Sequence, residues 1–287
     1  MIKKAIILAG GLGTRLSPIT KSINKHLLPI NDKPLIFYPL SILMLTNIKD
    51  FFIIVNSGST NQFRKLLGDG SRFGAKIKYA EQKKPIGVPD AFNIGEKFIG
   101  KDSVALILGD NFFYGQSLSS QLLKASKLKT GAKIFLQPVG KPENFGIAKV
   151  KNQKVIAIQE KPKKSKSNLA ITGLYFFDNT VIKKTKKLKK SKRNELEIVD
   201  LLNLYKNENK LNAEFLGRGA AWLDAGTLED FLETSNFVNL IEKRQGMKIA
   251  CLEEIALNKS WIDKRSIKNS INFYGRCQYS DYLKKLL

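Results

Sequence analysis

Lys4-Ala5-Ile6-Ile7-Leu8-Ala9 runs straight into Gly10-Gly11-Leu12-Gly13-Thr14-Arg15, and the reading of this junction decides the fold. The first six residues form a short apolar run stopped by glycine, the pattern of a strand buried in a parallel sheet. Glycines at a strand end let backbone N–H groups approach phosphate oxygens with no Cβ in the way. The loop is not the dinucleotide fingerprint, because Leu16 stands where a third glycine belongs. Nor is it a Walker loop, since no Gly-Lys-Ser/Thr follows. It carries Arg15 instead, and Lys25 comes ten residues later.

Outward from this junction, strand and helix patterns alternate. Phe51 to Val55, Val104 to Leu108 and Lys133 to Leu136 read as further buried strands. Between them lie helical spacings: Leu40-Leu43-Met44 with Pro39 in a first turn, Phe63-Leu66-Leu67, Ala91-Ile94-Phe98 and Leu118-Leu122-Leu123. Such alternation over the first 140 residues predicts a doubly wound α/β sheet. After residue 140 the connections shorten. Ile147 to Val150, Val155 to Ile158 and Thr172 to Phe177 read as strands, so the mostly parallel sheet is expected to become mixed. Helices are predicted at 197–207 and 228–243, the second with Phe231, Val238 and Ile241 on one face. The last forty residues read as small helices around Ile255, Trp261, Ile262, Tyr282 and Leu286.

Composition narrows the chemistry. With 287 residues, 43% hydrophobic and 26% charged, the chain is an ordinary globule of one large or two modest domains. Its longest apolar stretch, residues 34–48, contains Ser41 and Thr46 and falls short of the ~20 residues a bilayer span needs. Only a brief apolar run precedes Gly10, too short for a secretory core, so a cytoplasmic protein with no membrane partner is expected. Cys251 and Cys277 form no C-x-x-C pair, and His26 is the single histidine. A His-rich zinc site is thereby excluded, and any Ser-His-Asp or Cys-His mechanism would have to run through that one imidazole. The net charge of +24 suggests nucleic acid. Only eight of the 49 cationic residues are arginine, however, and base readers favour arginine's bidentate fork. The lysines are therefore read as solvated, with no nucleic-acid partner. The dense run Lys183 to Arg193, where Ile182, Thr185 and Leu188 keep a helical stripe, is read as a solvated helix face rather than an RNA contact.

The continuation after the glycine loop carries a resemblance. Gly10-Gly11-x-Gly13-Thr14-Arg15-Leu16-x-Pro18-x-Thr20, Lys25 before Leu27-Leu28-Pro29, and Asp32-Lys33-Pro34 together resemble the opening of the sugar-1-phosphate nucleotidyltransferases. Among these the chain is most similar to the glucose-1-phosphate thymidylyltransferases. One departure lies inside the match: His26 stands where the family has glutamine. Glu81-Gln82 and Gly87 are similar to the stretch that holds the thymine ring, although Lys83, Lys84, Ile86 and Val88-Pro89-Asp90 differ from the usual sequence. An amide can pair with the imide edge of that base. Leu108-Gly109-Asp110-Asn111 and Trp222-Leu223-Asp224-Ala225-Gly226-Thr227 each present an aspartate after a short apolar run. Pro142-Glu143-x-Phe145-Gly146, Glu160-Lys161-Pro162, Thr172-Gly173-Leu174-Tyr175 and Arg193-x-Glu195-Leu196-Glu197-Ile198-x-Asp200 resemble the sugar side, with Asn194 and Val199 where glycine and threonine are typical. The likeness extends to Ile249-Ala250-Cys251 and Trp261-Ile262-Asp263, as in a complete member.

The resemblance implies a Rossmann-like nucleotide-diphospho-sugar transferase fold. It divides into a core at 1–240, with a nucleotide half to about residue 140 and a sugar half from 141, and a C-terminal helical segment at 241–287. It also implies Mg²⁺-dependent thymidylyl transfer from dTTP to glucose 1-phosphate, the first step toward dTDP-rhamnose or a related deoxysugar. Arg15, Lys25, Asp110 and Lys161 would be catalytic, with Asp110 and Asp224 holding the metal. Leu8, Gly10, Gly11, Gly13, Thr14, His26, Gln82 and Gly87 would complete the nucleotide site. Asn111, Gly146, Glu160, Thr172, Arg193 and Trp222 would line the sugar-phosphate site with Lys161. A homotetramer with feedback inhibition by a dTDP-sugar is implied, at Tyr114 to Ser119, Arg218 to Ala220 and Cys251 to Trp261. Three other readings stay open: UTP as the donor, a glycosyltransferase (which would want the D-x-D that Asp110-Asn111-Phe112 lacks), and a non-catalytic basic protein on the same fold.

Overall fold

The computed structural model describes residues 1–151 and 154–287. Its strands are β1 Lys4–Ala9, β2 Pro29–Ile30, β3 Lys33–Pro34, β4 Asp50–Asn56, β5 Lys76–Gln82, β6 Val104–Leu108 and β7 Asn111–Gly115. They continue with β8 Ala132–Pro138, β9 Gly146–Lys151, β10 Lys154–Glu160, β11 Leu169–Phe177, β12 Leu211–Phe215 and β13 Ala220–Asp224. Nine of them join in one sheet of order β5-β4-β1-β6-β11-β8-β12-β10-β9. The first four are parallel; β11 then runs antiparallel to both β6 and β8, giving the mixed sheet expected. Chain order reverses between β1 and β6. Ligands bind at such a switch point, outside the carboxyl ends of the strands.

Both faces of the sheet are covered, which is why its strands read as unbroken apolar runs rather than alternations. Ala5, Ile7 and Ala9 pack with helix Phe37–Leu45 and with the C-terminal helices Leu252–Asn258, Lys264–Tyr274 and Gln278–Lys284. Ile6, Phe52 and Ile54 face the other way, toward the short helices Asp90–Ile94 and Glu96–Ile99 and helix Ile198–Asn207. The C-terminal segment therefore shares the main core. Helix Leu228–Gln245 is capped at both ends, by a Thr227/Asp230 capping box and by Gly246 in the left-handed region. No helix among the described residues is long and apolar enough to cross a membrane.

Two readings change. The predicted 91–98 helix is two pieces, broken at Gly95, where a Cβ would lie 2.9 Å from the Ile6 side chain. The lysine run is not one solvated helix: the helix covers Thr180–Thr185 only, and the chain then leaves it. Lys184 and Thr185 are buried, with Lys184 paired to Glu208 and 4.9 Å from the Tyr205 ring. An ion pair and an aromatic face make burial of that lysine tolerable.

A second structural device lies away from the switch point. Lys33 is 2% exposed, and its ammonium sits 2.5 Å from Asp32 and 2.9 Å from Glu242. Lys248 closes the square on the same two carboxylates, at 2.5 and 2.9 Å. The Asp32-Lys33-Pro34 segment thus pins helix Leu228–Gln245 to the turn between β2 and β3.

Candidate active site

At the carboxyl ends of β1 and β6 a cleft of about 350 Å³ opens, lined by Leu8, Gly11, Gln82, Gly87, Asn111 and Tyr175 among others. It shares Asn144, Phe145, Lys161, Trp222 and Asp224 with a recess of about 560 Å³ that also takes in Arg15. The glycine loop leaves β1 and enters a short 3₁₀ turn, Thr14–Leu16, with Gly13 in the left-handed region at φ 62°. Thr20 fastens this turn by donating from Oγ1 to the Gly13 carbonyl at 2.7 Å. A Cβ on Gly13 would also strike Thr20 at 2.8 Å, so both backbone angle and space require glycine.

Lys25 is 6% exposed, and its ammonium lies 2.5 Å from Asp110 Oδ2. Asp110 Oδ1 accepts from Asn111 Nδ2 at 2.9 Å. Asn111 Oδ1 in turn accepts from Trp222 Nε1 at 2.6 Å and the Gly173 backbone N–H at 3.1 Å. Gly173 has to be glycine for that approach, because a Cβ would lie 2.7 Å from Asn111 Oδ1. Asp224 arrives from the antiparallel pair β7–β13, opposite Asn111, and the Ala225 N–H donates to the Asp110 carbonyl at 3.0 Å. The two carboxylates therefore share one mouth. Burial is the largest influence and favours the neutral form of both; at Asp110 the Lys25 ammonium, by charge and by hydrogen bond, and the Asn111 amide together still bring the carboxyl below its usual range. At Asp224 burial and the Asp110 charge together push the carboxyl up, against weaker pulls from Lys25 and Arg15. The Arg15 guanidinium lies against Gly226, where a Cβ would come within 2.9 Å of Nη2. It bounds the same recess as Asp224, whose carboxyl feels its charge.

Gln82 ends β5 with its side chain over Gly10, where a Cβ would meet Oε1 at 2.8 Å. Gly87 has φ 111° and lies so close to the Leu196 carbonyl that a Cβ would be 2.0 Å from its oxygen. The Leu196 N–H donates to the Ile86 carbonyl at 2.7 Å, so loop 83–89 and loop 191–197 form one wall. Within that wall, Arg193 donates to Glu197 at 2.7 and 3.2 Å, and it reaches Glu160 on β10 at 3.2 Å. Asn194, in place of the family's glycine, adopts φ 61°, which asparagine tolerates better than most residues. Lys161 is also left-handed, at φ 41°, and its backbone N–H donates to Phe145 at 3.0 Å. A lysine held in that region costs on the order of 1 kcal/mol and marks a constrained position.

Most predicted residues therefore converge: Leu8, Gly11, Gln82, Gly87, Asn111, Gly146, Glu160, Lys161, Arg193, Trp222 and Asp224 line the cleft directly. Gly10, Gly13 and Thr14 shape the loop. Lys25 and Asp110, paired with each other, are not among the lining residues, and His26 and Thr172 are turned away from the cleft. His26 is buried beneath Gly109; its Nδ1 and backbone N–H both meet Asn24 Oδ1 at 2.8 Å. An oxygen acceptor there fixes the proton on Nδ1, and burial, aided by Lys25, drops the imidazole to about 3, so it is neutral. Thr172 is wholly buried with its hydroxyl unpartnered, because Ile171, Gly173 and Tyr175 take the cleft-facing side of β11. Sequence reasoning did not single out Asn24, Tyr175 or Asp90. Asn24 had a signal, an N-cap residue opening the Lys25–Leu27 turn; Tyr175 had one in closing the Thr172–Tyr175 stretch of the resemblance.

The chain as a whole is similar to known proteins. A family model described as nucleotidyl transferase matches residues 4–240. A glucose-1-phosphate thymidylyltransferase of Neisseria meningitidis is 47% identical over 285 residues, covering 99% of each chain. One of Mycobacterium tuberculosis is 44% identical over 285 residues, again covering 99% of each. Among solved structures, a Bacillus anthracis protein described as a glucose-1-phosphate thymidylyltransferase, with sucrose bound, superposes with TM-score 0.76 at 40% identity. The match covers 82% of this chain and 94% of that one. A UDP-glucose pyrophosphorylase holding UDP-glucose superposes with TM-score 0.74 at 25% identity, over 85% and 100% of the two chains. A glycine loop at a switch point, two carboxylates and a ring of cations thus sit on a chain that belongs to the nucleotidyl transferase family, among its glucose-1-phosphate thymidylyltransferases.

Proposed function

We propose that the enzyme transfers a thymidylyl group from dTTP to α-D-glucose 1-phosphate, giving dTDP-glucose and pyrophosphate. The observation that carries this reading is the placement of Arg15, Lys25 and Lys161 around the Asp110–Asp224 mouth, with an amide-bearing pocket on one side and Glu160 on the other. A phosphate oxygen of the sugar phosphate attacks the α-phosphorus, the bond from that phosphorus to the bridging oxygen breaks, and pyrophosphate leaves with the electron pair. The attacking oxygen is already anionic near neutrality, so no general base is needed, in keeping with a neutral buried His26. Positioning and charge stabilisation do the rest. Arg15 and Lys25 hold the triphosphate and take up charge on the leaving group. Lys161 and Arg193 place the sugar phosphate, Arg193 exchanging its carboxylate partners for the phosphate. Glu160 accepts from sugar hydroxyls.

The donor set suits Mg²⁺. Asp110 and Asp224 offer oxygen ligands only, and two like charges at one mouth leave one carboxyl raised until a cation joins them. Mg²⁺ characteristically takes one or two carboxylates and completes its shell from substrate phosphates. Bound there, it would screen the two phosphates from each other.

A separate hollow of about 270 Å³, lined by Tyr114, Ser119, Ala250 and Glu254, supports the reading of a regulatory dTDP-sugar site. Exposed Leu228, Leu232 and Leu240 on one long helix support assembly, read here as a homotetramer. The direct test is pyrophosphate release from glucose 1-phosphate with dTTP, UTP or no sugar phosphate. Release only with both substrates and a dTTP preference is expected. A UTP preference would reassign the donor, and no release would remove the catalytic reading.

A further inference from the structure

Gln82 is 5% exposed and presents one end of its amide to a carboxylate: Nε2 donates to Asp90 Oδ2 at 3.0 Å. Asp90 opens helix Asp90–Ile94 and does not line the cleft itself; its other oxygen takes Asn93 Nδ2 at 3.4 Å. An ionised carboxylate can only accept, so the amide has to turn its NH₂ toward Asp90 and its carbonyl away. The carbonyl oxygen then lies over Gly10, the one residue type that leaves room for it, and no hydrogen bond among the described residues reaches it.

We propose that Asp90 is a positioning residue that fixes the Gln82 amide and thereby selects the pyrimidine the site reads. This rests on the reading that the base lies against Gln82. With the carbonyl facing the cleft and one N–H still free, Gln82 offers an acceptor beside a donor. That pair complements the N3–H and O4 of thymine or uracil. It opposes cytosine, whose N3 accepts and whose amino group donates. A flipped amide would reverse the preference, and Asp90 prevents the flip because the carbonyl would then face a carboxylate. The role is invisible in a base pocket defined by contact alone, since Asp90 acts through its neighbour.

The test measures kcat/KM with glucose 1-phosphate for dTTP and dCTP in the wild type, Asp90→Asn, Asp90→Ala and Gln82→Ala. Asparagine can offer either its oxygen or its NH₂, so Gln82 is released to turn; alanine removes the acceptor altogether. A site whose polar group is left wrongly paired discriminates steeply, and we expect both Asp90 variants to lose about tenfold or more of the dTTP-over-dCTP ratio. The loss should come from the KM for dTTP together with improved use of dCTP, a change a merely structural defect would not produce. If both Asp90 variants keep the wild-type ratio while Gln82→Ala loses it, the proposal is overturned and the base pocket stands. If Gln82→Ala also keeps the ratio, the base is not read at Gln82 and both readings fall.

Discussion

Replacing Lys33 by methionine separates structure from catalysis in the opening motif. Lys33 lies between Asp32 at 2.5 Å and Glu242 at 2.9 Å, with its ammonium 5.3 Å from the Tyr38 ring. Methionine fills the same volume but leaves two buried carboxylates facing one another with Lys248 as their remaining cation. Breaking one partner out of a buried ion pair costs about 3–5 kcal/mol, because the stranded charge keeps its desolvation penalty. Lys248 still holds both acids, so the loss belongs at the lower end, about 3 kcal/mol. For a chain of this size that is a fall of about 6–10 °C in Tm. Acid sensitivity should change as well. Burial would raise Asp32, but Lys33 and Lys248 hold it below the usual carboxylate range. Its stabilisation is thus present above its unfolded value of ~3.9 and lost as pH falls through the lower folded value. Without Lys33 the folded value rises toward the unfolded one, so this pH-dependent contribution shrinks and is fully lost at a higher pH. Thermal and urea unfolding at low and at 1 M salt, with Lys284→Met as the exposed control, measures all of this. A cost below about 1 kcal/mol, or one that disappears in salt as it would for an exposed pair, would refute the buried-clamp argument.

Four further outcomes follow from the geometry. His26 sits at about 3 when folded and near 6.5 when unfolded, so between those pH values only the unfolded chain binds the proton and wild-type stability falls as the pH is lowered. His26→Gln should flatten that slope in urea midpoints taken from pH 7.5 to 5; an unchanged slope would show the imidazole is not buried neutral. Gly87→Ala forces a Cβ against the Leu196 carbonyl at φ 111°, and should raise the KM for dTTP through the displaced wall; wild-type kinetics would remove that close approach. Asp110→Asn and Asp224→Asn should each lower kcat by on the order of a hundredfold or more, with weaker dependence on added Mg²⁺; near-normal turnover in both would unseat the metal assignment. Lys161→Ala should raise chiefly the KM for glucose 1-phosphate, and a defect confined to dTTP would mean the sugar-phosphate site is misplaced.

What could be read in advance divides by range of interaction. The central strands were legible because burial on both faces writes itself as apolar runs. Edge strand β5 escaped because Lys76-Ile77-Lys78 alternates with a solvated side and resembles a polar loop. The β7–β13 ribbon escaped because its halves lie far apart in sequence, and neither marks its partner. Asp32-Lys33-Pro34 was legible only as part of the opening motif, without a role, because the partner that gives it one, Glu242, lies 209 residues away from Lys33. Thr172 was misplaced because a strand buried on both faces does not mark which face looks into the cleft, and the alternate residues Ile171, Gly173 and Tyr175 take that side.

One hydrogen-bonded sheet runs from β5, which carries Gln82, to β9, which carries Gly146; β10 joins β12 through one pair, and β9 also pairs with β11. The two halves share this one sheet, so a hinge between them would have to break ladder pairs, whereas loops borne on strand ends move at less cost. The spacing between the two phosphates is consequently built into the frame. A bisubstrate molecule joining nucleotide and hexose through a linker of that span would meet a template already set, and would gain its affinity with little reorganisation of the protein.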